Sequence, residues 1–252
     1  WIQGMRDCME IKQLMPHTSL ISVMDREADF FEIFDDQRRK SSRVDLLIRA
    51  QHNRKTMGEH KLFEEVMQSP VQSRITIKIP RQSARVKKKN QKARSKRAAR
   101  IAEVTVRYIR TELKPPPYFQ EMPPISLWII HVKEEKPPAG TKAVEWFLLT
   151  TIDIKSPHDA LDCIAWYCLR WRIEDWHRVL KSGCGVEALA HKTAGRLKRA
   201  IAINLVIAWR IMLMTLLGRE MPELPPEVLF SDIEIKVLQA YAKKKALTFP
   251  AL

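Results

Sequence analysis

The sequence lacks several features that mark common protein classes. Its four cysteines, Cys8, Cys163, Cys168 and Cys184, form no C-x2-C pair and have no histidine at zinc-ligand spacing. They are typical of reduced cysteines in the cytosol. No signal peptide is visible, and the apolar run at residues 200–209 is shorter than a membrane span and is flanked by charge. We therefore expect a cytoplasmic protein.

Acidic residues are also scarce relative to basic ones. The chain has 29 Asp and Glu against 44 Lys and Arg, which gives a formal net charge of +15 and a pI near 9.8. Such an excess predicts an anionic partner, with nucleic acid as the leading candidate. The hydrophobic fraction of 45% is sufficient for a folded core, and 252 residues allow one or two domains.

One stretch, WYCLRWRIEDWHRVLK at residues 166–181, predicts a helix with two distinct faces. With Tyr167 at zero and about 100° per residue, Arg170, Glu174 and Lys181 fall between about 300° and 340°, and Arg178 near 20°. A separate apolar face lies between about 180° and 260°. Its residues are Trp166, Leu169, Ile173, Trp176 and Leu180. A single carboxylate among cations suits a site that holds a metal ion and a polyanion together.

The remaining chain changes character along its length. Helical spacing is present at residues 2–14, 28–39 and 59–69, and apolar runs at 19–24 and 44–50 predict buried strands. Asp25 follows the first of these strands. Four β-rich runs separated by proline clusters then predict an antiparallel insert.

The C-terminal part is predicted to be helical. Ser156 is a candidate N-cap and Gly183 a candidate stop for one long helix that contains the Tyr167 stripe. A second long helix is expected at 196–218, and a short one in the tail. These patterns divide the chain into segments 1–69, 70–152, 153–194 and 195–252.

The spacing Y-x2-R-x3-E-x6-K resembles the signature of the bacterial cut-and-paste insertion-sequence transposases of the DDE type (insertion-sequence-four class, transposon-five-like). The run SVMDREADFFEIF resembles the segment that carries the family's second catalytic aspartate, here Asp25. VDLLIRAQHNRK, VEWFLLTT and the helical stretch after the signature follow in the family's order. The resemblance covers roughly residues 1–215. It implies an α/β, RNase H-like catalytic core, incomplete at its N-terminus, with an inserted antiparallel β subdomain and a C-terminal helical region.

The resemblance also implies a reaction, which is metal-dependent cleavage and strand transfer at transposon ends. Asp25 and Glu174 would hold Mg²⁺, which Mn²⁺ could replace, and would supply two of the three carboxylates needed for a two-metal reaction. Other roles remain open for both residues. Asp25 could cap a helix or pair with Arg26, and Glu174 could form an i, i+4 pair with Arg178 or Arg170.

Several further residues are implied to contact DNA. In the family the Tyr, Arg and Lys of the signature orient the transposon end, which assigns phosphate contacts to Tyr167, Arg170 and Lys181. Arg178 stands where some relatives have lysine. A cluster after the second strand, Arg49, His52 and Arg54, would contact the DNA backbone near the active site, although a solvated strand end is the alternative.

Two tryptophans occupy positions where relatives handle a flipped base near the cleaved end. These are Trp146 and Trp171, and for both the alternative is core packing. Trp171 is off the apolar face, which favours DNA contact. Trp128, Trp166 and Trp209 are expected in the core.

Residues 81–100 contain ten Lys or Arg and no acidic residue. They form a basic loop inside the β-rich segment, which is either a solvated connection or a clamp on DNA phosphates. The candidate contacts are Lys87, Lys88, Lys89, Lys92, Arg94, Lys96 and Arg97.

The family's first catalytic aspartate and its N-terminal recognition domain have no counterpart in these residues, and residue 1 is Trp. We expect a chain that begins inside a longer reading frame and cannot cleave DNA alone. One hypothesis is that the chain is the C-terminal part of a transposase. Such a transposase would act on double-stranded DNA (terminal inverted repeats and target DNA), as a homodimer in a synaptic complex near the nucleoid. The second hypothesis is a truncated remnant that binds DNA, or pairs with an intact transposase and inhibits it.

Overall fold

The computed structural model describes residues 1–40, 43–79 and 98–245. The chain divides into two compact units, Trp1–Arg170 and Trp171–Leu252. The first unit is a mixed α/β fold built on one six-stranded sheet, and the described part of the second consists of helices. The boundary falls within the predicted segment 153–194, at the centre of the signature.

The predicted strands all form, and they join a single mixed sheet. The strands are β1 (Ile21–Met24), β2 (Asp45–Arg49), β3 (Ser73–Ile79), β4 (Arg100–Leu113), β5 (Ile125–Lys133) and β6 (Glu145–Thr150). Their order in the sheet is β1-β2-β6-β5-β4-β3; β1 and β2 are parallel and every other pair is antiparallel. The predicted antiparallel strands β3–β6 are therefore continuous with β1 and β2, because β6 pairs directly with β2.

Both faces of this sheet are covered by apolar side chains. Along β2, Leu46 and Ile48 belong to one core cluster and Leu47 to the other, as the alternation of side chains in a strand requires. The helices of this unit are α1 (Ile2–Leu14), α2 (Phe31–Arg38), α3 (Leu62–Gln68) and α4 (Pro157–Leu169). The first three contribute to the cluster that contains Leu46, and α4 contributes to the cluster that contains Leu47.

The single long helix predicted from Ser156 to Gly183 is wrong, although both end signals are correct. Ser156 and Asp159 form a capping box at the start of α4, but this helix ends at Leu169. A second helix, α5 (Arg172–Arg178), then leads into a π-helical segment, Val179–Gly183. The Arg170 N–H donates to the Tyr167 carbonyl at 3.1 Å, a contact three residues back that tightens the last turn. The helical angles calculated from Tyr167 do not hold beyond this point.

The second unit continues with α6 (Ala194–Glu220) and α7 (Asp232–Lys244). By length and composition alone, α6 could cross a membrane, with a mean hydropathy of 2.1 over 18 residues. The expectation that no such run exists is corrected, because the apolar sequence continues past Arg210. The expectation that Trp209 is in the core is also wrong, since this side chain is 53% exposed. Trp128 and Trp166 pack partly buried against the core of the first unit.

Candidate active site

Asp25 lies at the carboxyl end of β1, next to the parallel strand β2. The two strands are in register from Ile21, which is opposite Asp45, to Met24, which is opposite Ile48. Asp25 and Arg49 therefore sit at the same edge of the sheet, where parallel strands commonly present functional groups. One oxygen of Asp25, Oδ1, accepts a hydrogen bond from the Glu27 N–H at 3.0 Å and caps a 3₁₀ turn. Asp25 therefore has the capping role that the sequence left open, and its other oxygen, Oδ2, takes no part in the cap.

The second oxygen of Asp25 faces the signature arginine. Arg170 Nη1 lies 3.8 Å from Asp25 Oδ2, and the two side chains are 17% and 36% exposed. Arg170 reaches this position because α4 packs on the sheet and ends beside the edge that carries Asp25. The alternative pairing of Asp25 with Arg26 is not the one formed. The structure thus brings together one residue from the DREAD run and one from the signature.

Asp29, a second carboxylate of the DREAD run, has a role that the sequence analysis did not assign. Its side chain is fully buried and forms an ion pair with Arg54. Asp29 Oδ2 also accepts hydrogen bonds from the N–H groups of Gln51 at 2.6 Å and His52 at 2.9 Å. This carboxylate therefore fixes the turn after β2. Two features of the sequence could have indicated this pairing: an acidic residue four positions after Asp25, and the Q-H-N-R run that ends at Arg54.

The three basic residues after β2 differ in their surroundings. Arg54 is held by the Asp29 carboxylate and, through its second nitrogen, by the Asp29 carbonyl. Arg49 Nη2 donates to the Glu145 carbonyl at 3.3 Å. The His52 side chain is exposed, and the His52 backbone N–H donates to the Asp29 carboxylate. Arg54 is thus a structural residue in this conformation, whereas His52 is presented to solvent.

Tyr167 and Trp146 form one aromatic contact in the first unit. The rings meet edge to face, with centroids 5.4 Å apart. Tyr167 is 4% exposed, and Trp146 is partly buried against the same core cluster. Core packing, the alternative that the sequence left open for Trp146, is therefore its environment here.

The other signature residues belong to the second unit and are largely exposed. The side chain of Glu174 makes no hydrogen bond or ion pair within the described ranges, and Arg178 pairs with Asp175 at 3.0 Å instead. The i, i+4 pairing considered for Glu174 is therefore not formed in the described part of the chain. Lys181, on the π-helical segment, lies 3.1 Å from Glu187. Trp171 is 46% exposed.

The donors available to a metal ion are isolated carboxylates. Within residues 1–40, 43–79 and 98–245, no group of three or more His, Cys, Asp or Glu side chains converges on one point. Asp25 Oδ2 and the exposed carboxylate of Glu174 are hard oxygen donors of the kind Mg²⁺ prefers. Cys163 is a poor candidate as a ligand or nucleophile, because burial raises the pKa of its thiol to about 12.

The candidate contacts of the basic loop, Lys87 to Arg97, lie outside the described residues. Of the segment 81–100, the structure describes Ala98, Ala99 and Arg100. Arg100 begins β4 and pairs with the buried Glu134, with Nη2 and Oε2 2.7 Å apart. This ion pair fixes the Arg100 side chain at the start of β4.

No protein-family model matches this chain. The resemblance to DDE transposases therefore depends on the residue pattern alone.

Proposed function

We propose that this chain is part of a DDE-type DNA transposase that acts in metal-dependent cleavage and strand transfer at transposon ends. In this proposal the sheet and α4 belong to an RNase H-like catalytic core, and β3–β5 extend it. Asp25 and Glu174 are the carboxylates that hold the metal ions. Tyr167, Arg170 and Lys181 position the DNA strand beside them.

The observation that carries the proposal is the 3.8 Å approach of Arg170 to Asp25. These residues come from the two sequence runs on which the family resemblance depends, and they are far apart in the chain. Their approach supports the proposal because it brings one residue from each run to the same end of the sheet. The arrangement supplies an oxygen donor for a cation and a guanidinium fork for a phosphate at the same edge of the sheet.

A divalent ion at this edge would be held by Asp25 Oδ2, and the family resemblance alone assigns Glu174 as the second carboxylate. Bound Mg²⁺ would activate the attacking oxygen and stabilise the leaving oxygen of a phosphodiester. Arg170 then has a second task, because a guanidinium close to Asp25 opposes a cation electrostatically. We propose that Arg170 turns from Asp25 to a DNA phosphate when metal and DNA are both bound.

The charge of the chain supports a DNA partner. The net charge of +15 favours binding to a polyanion, and the exposed Trp171 side chain offers an aromatic surface for a base. Pairing of two copies is proposed through the second unit. Apolar side chains of α6 and α7 are exposed there: Ile203, Val206, Ile207, Trp209, Ile233, Val237 and Tyr241.

The test uses Fe²⁺ in place of Mg²⁺, with ascorbate and peroxide, so that hydroxyl radicals cut the polypeptide beside the bound metal. With duplex DNA present, we expect cuts near both Asp25 and Glu174, suppressed by excess Mg²⁺. Asp25→Asn should reduce both cuts, whereas Asp162→Asn, at an exposed carboxylate of α4, should reduce neither. Cuts that persist unchanged in Asp25→Asn, or that never occur near Glu174, would refute a shared metal site.

DNA binding is tested by fluorescence anisotropy on duplex DNA at increasing salt. We expect the affinity to fall linearly on a log–log plot, because each phosphate contact releases counterions. Arg170→Gln should reduce the slope, and Arg172→Gln, at an exposed ion pair with Glu220, is the matched control. An affinity independent of salt would rule out phosphate as the main contact.

A further inference from the structure

The first unit contains a pocket that the proposed reaction does not use. Its volume is about 880 Å³, within the range of small-molecule sites. The wall is formed by the start of α2, the turn after β2, and the loop between β4 and β5. Asp25 and Arg170 are not among its lining residues.

Part of the pocket lining is apolar and aromatic. It includes Phe30, Phe31, Met57 and Met122, together with Tyr118, whose surface is 70% exposed. An exposed tyrosine beside an apolar wall provides a flat surface on which a planar ring can stack.

The aromatic part of the lining is held in place by neighbouring contacts. Phe119 supports the Tyr118 ring at a centroid distance of 5.1 Å and stacks on Phe31 at 6.4 Å. Three consecutive prolines, 115–117, fix the backbone that carries Tyr118. Arg38 Nη1 donates to the carbonyls of Pro123 and Pro124 at 3.0 and 2.9 Å, which ties the other end of the loop to α2. The pocket is thus preformed, which lowers the entropy lost on binding.

The lining also contains basic side chains. His52, Lys55 and Lys114 line it, and their side chains are exposed. Neither lysine forms an ion pair with another described residue. The backbone N–H of Lys114 donates to the Lys55 carbonyl at 3.0 Å, which holds the two residues side by side. The acid in the lining, Asp29, is buried and already paired with Arg54. The pocket therefore presents uncompensated positive charge.

We propose that this pocket binds a nucleotide, with the base stacked on Tyr118 and the phosphate held by Lys55 and Lys114. A planar aromatic base joined to an anionic phosphate is the chemistry that matches a lining with an exposed tyrosine and two lysines. The ligand is either a free nucleotide or an unpaired nucleotide of a DNA strand. This inference is independent of the transposase proposal, since it involves neither of the two carboxylates.

The first experiment measures binding of two probes, thymidine 5′-monophosphate and a short 5′-phosphorylated oligothymidylate, by titration calorimetry at low salt. Tyr118→Ala should weaken binding by about tenfold and Tyr118→Phe should leave it unchanged, because stacking needs the ring and not the hydroxyl. Lys55→Gln with Lys114→Gln should weaken binding by roughly fivefold or more. The matched control is Lys136→Gln with Lys142→Gln, which removes the same charge from exposed lysines between β5 and β6.

A second readout locates the base directly. An oligothymidylate with one 5-iodouracil should crosslink to Tyr118 or Phe30 on irradiation, and excess thymidine monophosphate should suppress the crosslink if the free nucleotide is a ligand. A crosslink at these residues that excess thymidine monophosphate does not suppress assigns the site to a DNA strand.

Three results would overturn the proposal: no binding of either probe, equal losses in the pocket and control lysine variants, or crosslinks only outside the pocket. None of these measurements needs a metal ion, and none of the substituted residues is a proposed metal ligand. Failure of the iron-cleavage test would therefore contradict the proposed transposase function and leave the nucleotide proposal intact. Failure of nucleotide binding would contradict the nucleotide proposal and leave the transposase proposal intact.

Discussion

The buried carboxylate of Asp29 and the guanidinium of Arg54 form an ion pair that ties the turn after β2 to the 3₁₀ turn after β1. The same carboxylate accepts the backbone N–H groups of Gln51 and His52. One side chain thus determines where the residues after both parallel strands lie. The candidate active site and the nucleotide pocket both depend on it, since Asp25 precedes one turn and His52 lies in the other.

Asp29→Asn should destabilise the first unit strongly. Removing one partner of a buried ion pair leaves the other charge buried and uncompensated, which costs about 3–5 kcal/mol of the free energy of unfolding. Urea denaturation followed by circular dichroism measures this loss. Glu135→Gln is the matched control, because its pair with Arg74 is exposed, and its effect should stay below about 1 kcal/mol. Equal effects of the two substitutions would contradict the structural role of Asp29.

The ion pair of Arg100 with Glu134 should make stability depend on pH in the acid range. The hydrogen bonds from Arg100, together with the N–H of Val144, hold the pKa of Glu134 below its ordinary value. A lowered folded-state pKa contributes stability that is present above the unfolded-state pKa, about 4.3, and is lost as pH falls through the folded-state value.

The comparison of wild type with Glu134→Gln tests this dependence. The difference in unfolding midpoint between the two proteins should be constant from about pH 7 to pH 5 and should shrink below about pH 4. Urea titrations at each pH provide the midpoints. A difference that grows as the pH is lowered would show that the sign is wrong.

Arg170→Gln should strengthen metal binding at Asp25 in the absence of DNA. The substitution removes a positive charge 3.8 Å from the carboxylate, so a cation meets less repulsion there. Iron-mediated cutting near Asp25 should reach half its maximum at a lower Fe²⁺ concentration than in wild type. Arg172→Gln changes the same charge in the second unit and should leave that concentration unaltered. A weaker metal site in Arg170→Gln would mean that this arginine orients Asp25 and does not compete with the ion.

Val206→Glu with Trp209→Glu should shift the protein towards monomers if two copies pair through α6. Both side chains are exposed, at 66% and 53%, so charged replacements can be accommodated in the isolated chain. Sedimentation velocity over a range of protein concentrations measures the assembly. Lys198→Gln with Arg199→Gln, on the same helix but polar in the native chain, lowers the net charge by the same amount and is the control for changed charge. A dimer that survives the apolar substitutions would place the pairing surface elsewhere.

The strands and most helices were predictable because their signals are local. β-branched runs, proline clusters and the Ser156 capping box mark ends that depend on neighbouring residues in the sequence. The break between α4 and α5 has no such signal, since residues 169–172 contain neither Pro nor Gly. A pattern rule that assumes 3.6 residues per turn likewise cannot predict the π-helical turn at Val179–Gly183.

The candidate site was predictable in part for the same reason. Asp25 follows an apolar run, and a strand end is a position that sequence patterns identify. Its neighbour Arg170 and the pairing of Asp29 with Arg54 depend on packing between distant segments, which only the folded chain reveals. The exposed side chain of Trp209 was not predicted, because the apolar character of a long helix does not determine which of its faces is covered.

The place of β6 between β2 and β5 has a consequence for synthesis of the protein on the ribosome. Thr150 in β6 donates its hydroxyl to the Leu46 carbonyl at 2.8 Å across a separation of 104 residues. At a translation rate of about 5–20 residues per second, roughly 5–20 s pass between the synthesis of β2 and the synthesis of β6. During that interval one edge of a very apolar strand is open, and pairing with another nascent chain competes with correct closure. The yield of folded protein should therefore respond to translation speed between residues 50 and 145 and to chaperones that shield extended apolar segments.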